Sequence, residues 1–115
     1  MSILDNQRVI AIEEHYYDEN LTKHFQGRDG MLGGFVKDRI SDVGVGRIKS
    51  MDEAGIDVQI LSHGAPSAQK LDADTGPGIA AAANDRLYEI CQAHPDRLAG
   101  FGALATADPT SAADE

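Results

Sequence analysis

The 115 residues contain a single cysteine, Cys91. No internal disulfide can form, and the chain is expected in a reducing compartment, the cytoplasm. Long apolar runs are absent as well. None approaches the ~20 residues that cross a bilayer, and no charged stretch followed by an apolar one opens the chain, so neither a membrane partner nor a leader is expected. Positive charge is scarce: 10 Lys and Arg stand against 19 Asp and Glu, for a formal net charge of −9. The basic side chains are scattered singly rather than gathered into a patch, which argues against nucleic acid. The length allows one ordinary domain at most, burying roughly 65% of its unfolded surface.

What is present follows an alternating pattern. RVIAI (8–12) is a β-branched run suited to a strand buried on both faces, ending at the triplet EEH (13–15). From 17 to 46 the chain is an irregular insertion, broken by Gly27, Gly30, Gly33, Gly34, Gly44 and Gly46, in which only short local elements are expected. Ile48, Met51 and Ala54 lie at helical spacing before Gly55, which suits a left-handed stop. Val58 to Ser62 reads as a second strand. Pro77 suits a first helical turn, and Ile79, Ala83, Leu87, Ile90, Cys91 and His94 recur at steps of three or four until Pro95. LAGFGALATADP (98–109) reads as a third strand, and SAADE (111–115) as the start of a further helix. Strand, helix, strand, helix, strand is the order of a parallel α/β sheet.

The EEH triplet carries the most chemistry. Side chains alternate along a strand, so Glu13 and His15 project together while Glu14 points the other way. A carboxylate oxygen and an imidazole nitrogen on one face can both reach a divalent cation. Two ligands are short of the usual three, and an exposed strand end explains the same residues. His63, at the end of the second strand, is a candidate for the same opening as a substrate-binding residue, with a solvated turn histidine as the alternative. His24 falls in the insertion and His94 near a helix C-terminus, and neither is a site candidate. Gly44 and Gly46 lack the third glycine and preceding strand of a dinucleotide fingerprint. Ser62 and Ser67 lack a nucleophile elbow, and Cys91 sits at core spacing.

IAIEEH (10–15), MDEAGIDVQILSHGAP (51–66), the AND ending at Asp85, and PDRLAGFGALATADP (95–109) together resemble the N-terminal third of the amidohydrolase-2 family. Within it they are most similar to the non-oxidative aromatic acid decarboxylases of the γ-resorcylate and 2,3-dihydroxybenzoate type. The resemblance implies the N-terminal portion of a (β/α)₈ barrel, with about three strands and a glycine-rich insertion after the first. It implies that Glu13 and His15 are metal ligands, with Zn²⁺ foremost and Mn²⁺ or Mg²⁺ as alternatives. It further implies capture of a phenolic oxygen and a carboxylate of a small aromatic acid, protonation of a ring carbon by an aspartate, and loss of carbon dioxide. That aspartate and a further histidine ligand belong to later strands, so no general acid is expected among these residues. A complete barrel needs about 250 residues; the 115 are expected to be a segment, inactive alone. Relatives of this kind form dimers or tetramers, so a homo-oligomer is expected. A metal-dependent hydrolase of the same superfamily and a non-catalytic α/β fragment stand as alternative readings.

Overall fold

The computed structural model describes residues 6–31 and 33–115. Three parallel strands, β1 (Ile10–Tyr16), β2 (Val58–His63) and β3 (Leu98–Gly100), form one sheet in the order β1-β2-β3. Between β1 and β2 lie α1 (Glu19–Thr22), a 3₁₀ turn at Gly27–Gly30, α2 (Gly34–Ser41) and α3 (Val45–Ala54). The helix α4 (Gly76–Ala93) joins β2 to β3, and α5 (Pro109–Asp114) follows.

Local chemistry explains the boundaries. Gly55 takes φ 72° beyond α3 and returns its N–H to Asp52 and Met51, the left-handed stop that a side chain would strain. At the other end of that helix, Asp42 accepts the Gly44 N–H at 3.0 Å, and its carboxylate occupies the space a Cβ on Gly46 would fill. Ahead of α4 the Asp72 carboxylate gathers the N–H groups of Asp74 and Thr75, and Pro77 sits in the first turn.

Two differences from the sequence reading concern strand length. β1 does not stop at EEH but runs through it to Tyr16, because Glu14, His15 and Tyr16 pair with Leu61, Ser62 and His63. The third strand is three residues long rather than twelve: its pairing with β2 stops with Gly100 opposite Leu61, two residues short of the end of β2, and Phe101 N–H donates the last bond to Leu61 O. The side chain of Asn84 takes over there, donating to Ala103 O at 2.9 Å and accepting the Ala103 N–H at 2.7 Å.

One face of the sheet is packed. Tyr16, Leu61 and Leu98 from the three strands meet Met51 of α3 and Leu87 of α4. Leu21, Ala68, Ala80, Ala83, Ala103 and Ala105 form a second cluster at the strands' C-terminal end. The packing is tight where α4 crosses β3: a Cβ on Gly100 would lie 2.7 Å from a Leu87 methyl. The opposite face leaves Ile10 and Ile12 exposed. The result is a slab of 54 × 33 × 22 Å with a radius of gyration of 15.5 Å, against about 13 Å for a compact domain of this length. One sheet with one helical layer is the wall of a (β/α)₈ barrel seen in part. No helix among the described residues is long and apolar enough to cross a membrane.

Candidate functional site at the end of the first strand

β1 carries one residue more than β2 between its paired positions. Ala11 pairs with Gln59 and Glu14 with Leu61, so Ile12 and Glu13 together oppose Ile60. This is a β-bulge, uncommon in parallel pairs and frequent where a side chain must be re-aimed. Paired residues of parallel strands share a face, and Gln59, Leu61 and His63 are the buried positions of β2. Glu14 and Tyr16 therefore join the helix-packed face, and His15 joins Ser62 on the open one. Glu13 and His15 are both exposed, on either side of a half-buried Glu14.

The His15 ring is held by its strand partner: Nδ1 lies 3.1 Å from Ser62 Oγ and 3.3 Å from Ser62 O. A proton on Nδ1 donated to Ser62 O leaves the lone pair on Nε2, which has no hydrogen-bond partner among the described residues. Beneath the strand, Arg47 of α3 donates through Nη2 to His15 O at 3.1 Å and through Nη1 to Gln59 Oε1 at 3.0 Å. Gln59 in turn reaches Glu14 Oε2 at 3.4 Å. Glu14 thus belongs to a hydrogen-bonded layer under the open face.

His63 is not brought to that opening. It lies on the helix-packed face, buried, between the rings of Tyr16, Tyr17 and Phe25. Asp18 donates its N–H to His63 Nε2 at 2.9 Å, and Nδ1–H donates to Gly64 O at 2.9 Å. Both nitrogens are occupied and the ring is neutral. Asp18 also caps α1 through Leu21 N–H and takes both arms of Arg86 from α4, at 2.6 and 2.8 Å. Burial pushes the His63 pKa below the usual imidazole value, against the Gly64 carbonyl and the Asp18 carboxylate, which raise it. A base whose folded pKa is depressed takes up its proton first in the unfolded chain, so its contribution to stability falls as pH drops below about 6.5. The urea midpoint is accordingly expected to fall between pH 7.5 and 5.5, and by less in His63→Gln. Equal pH dependence in the two proteins would sink this account.

Arg47, Gln59, Asp18 and Arg86 were not singled out by sequence. Asp18 alone offered a signal, as a capping residue type placed just before ENLT. The others act on main-chain carbonyls or distant carboxylates that leave no local pattern. Among the described residues no three His, Cys, Asp or Glu side chains converge as a metal cluster.

No family model matches the chain. Individual proteins do. The γ-resorcylate decarboxylase of Rhodococcus jostii (strain RHA1) is 39% identical over 111 residues, covering 95% of this chain and 34% of that protein. The crystal structure of 5-carboxyvanillate decarboxylase from Sphingomonas paucimobilis superposes with a TM-score of 0.83 at 33% identity, over 93% of this chain and 37% of that one. The dihydroxybenzoic acid decarboxylase of Polaromonas sp. JS666, solved with manganese and the inhibitor 2-nitroresorcinol, gives a TM-score of 0.80 at 34% identity, over 93% and 33%. The chain spans about a third of the length of the curated relatives it matches. With backbone and sequence agreeing along nearly all of its length, the chain is similar to about a third of the length of aromatic acid decarboxylases of the amidohydrolase fold.

Proposed function

We propose that the protein is a metal-dependent, non-oxidative decarboxylase of a hydroxy-aromatic carboxylic acid, in which Glu13 and His15 are two ligands of a divalent cation. The observation that carries this reading is the His15 ring. Ser62 engages Nδ1, so Nε2 is presented on the open face of the sheet with an exposed carboxylate two residues away. Metal-bound histidines are held in this way, one nitrogen fixed by an oxygen and the other given to the ion.

Carboxylate oxygen and imidazole nitrogen suit Zn²⁺ and Mn²⁺ alike; the manganese of the Polaromonas relative supports Mn²⁺ at least as well as Zn²⁺. When bound, the cation supplies charge that holds a carboxylate beside a phenolic oxygen and offsets developing negative charge. Glu13 and His15 hold it, Ser62 fixes the ring plane, and the open face admits the flat substrate. The remaining ligand positions and the acid that protonates the ring fall to the part of the relatives' length that this chain does not span. Exposed Phe35, Val36 and Val45 support a homo-oligomer that covers them, and the lone cysteine a cytoplasmic setting.

Metal content of the full chain as isolated, with carbon dioxide release from 2,6-dihydroxybenzoate measured on the same preparations, tests the proposal. Glu13→Ala and His15→Ala are each expected to lower bound metal by about tenfold or more, with carbon dioxide release lost in step. Metal content unchanged in both variants would overturn it.

A further inference from the structure

The half-buried guanidinium of Arg47 lies under the strand at His15, and its acceptors span three separate parts of the chain. Nε donates to Asp42 O at 2.6 Å, Nη1 to Gln59 Oε1 at 3.0 Å, and Nη2 to both His15 O at 3.1 Å and Ile40 O at 3.2 Å. The end of α2 with the connection into α3, the strand β2 and the strand β1 are therefore joined by one side chain. A planar fork with five donors can make such a joint; an ammonium, with its donors on one atom, cannot reach all four acceptors.

Where this joint falls matters. The bulge at Ile12–Glu13 interrupts the regular pairing of β1 immediately before His15, which removes ladder constraint from the stretch that has to hold the ring in place. Arg47 restores it from the helical side. It holds the His15 carbonyl directly, and through Gln59 it reaches the carboxylate of the adjacent Glu14. We infer that Arg47 is a positioning residue: it sets the geometry of the Glu13–His15 donor pair through the main chain, and thereby the affinity for the divalent cation. The inference rests on the assignment of those two residues as ligands.

The test is Mn²⁺ affinity, read from the EPR signal of the free ion during titration of the full chain. Arg47→Lys and Arg47→Met are compared with the parent, with His15→Ala and with Asn84→Ala, which cuts the anchoring of Ala103 on another part of the fold. Arg47→Lys keeps a charge in the site and carries the test should Arg47→Met not fold. Arg47→Lys is expected to bind Mn²⁺ about tenfold more weakly than the parent, in the range seen when the outer contacts of a metal ligand are removed. Asn84→Ala is expected to stay within about twofold even where it lowers the melting temperature as much. Should every Arg47 variant that folds bind within about twofold of the parent while His15→Ala loses the ion, Arg47 only packs the helix on the sheet. Should His15→Ala also bind as the parent does, the ligand assignment itself falls, and the positioning role with it.

Discussion

Arg86→Met is expected to destabilise the protein by about 3 kcal/mol, measured as a shift in urea midpoint at neutral pH. The cause is the asymmetry of its ion pair. The Asp18 side chain is 7% exposed and that of Arg86 35%. Removing the arginine strands a carboxylate with the Leu21 N–H as its remaining side-chain partner, whereas removing the aspartate's charge frees a guanidinium that water can already reach. Asp18→Asn should therefore cost less than Arg86→Met, and Asp18→Asn placed on Arg86→Met should recover part of the loss. Burial works against ionisation of Asp18, but the Arg86 hydrogen bonds and the Leu21 N–H outweigh it and hold the carboxyl below the usual range. The sign follows: a depressed carboxyl contributes stability above the ordinary aspartate pKa, and loses it as pH falls from there through the folded value. Arg86→Met should flatten that acid limb. An Arg86→Met midpoint equal to the parent's would show the pair to be ornamental, and a larger loss in Asp18→Asn would overturn the asymmetry.

Leu61→Ala is expected to cost about 3 kcal/mol. Leu61 is fully buried at the centre of β2, where Tyr16, Met51, Leu87 and Leu98 arrive from four other elements. Because these neighbours belong to strands and helices anchored elsewhere, they cannot collapse into the space, and the cavity persists. Denaturation should show an unchanged slope with a lower midpoint. A loss under about 1 kcal/mol would mean that the two layers repack freely.

The order of elements was legible because it rests on period. Ala83, Leu87 and Ile90 recur at helical steps, and the apolar run from Val58 is bounded by turn residues, so α4 and β2 could be placed from sequence alone. Strand ends were harder. EEH looks like a terminator because two carboxylates and a histidine resist burial, yet in the fold Glu14 is accommodated by Gln59 and the strand continues. GFGALATADP looks like strand because it is apolar and rich in small residues, yet after Gly100 the chain leaves β2, and the Asn84 side chain bonds its main chain at Ala103 instead. The same logic separates the two histidines. His15 could be proposed from its neighbour Glu13, two residues away. The surroundings of His63 are set by an N–H at Asp18, 45 positions earlier, and nothing local distinguishes it from a histidine in a turn. Arg47 left no trace, because three of its four acceptors are main-chain carbonyls, which every residue carries.

The extra residue in β1 bears on any attempt to transplant this strand. Counting by twos from Ile10 along an unbroken ladder would put His15 among the helices and Tyr16 in the open, inverting both. The nine residues VIAIEEHYY therefore do not carry their own frame: a host strand receiving them must also accept two residues opposite one at Ile12 and Glu13. Without that accommodation, a graft would keep the letters of the triplet and lose its outward histidine.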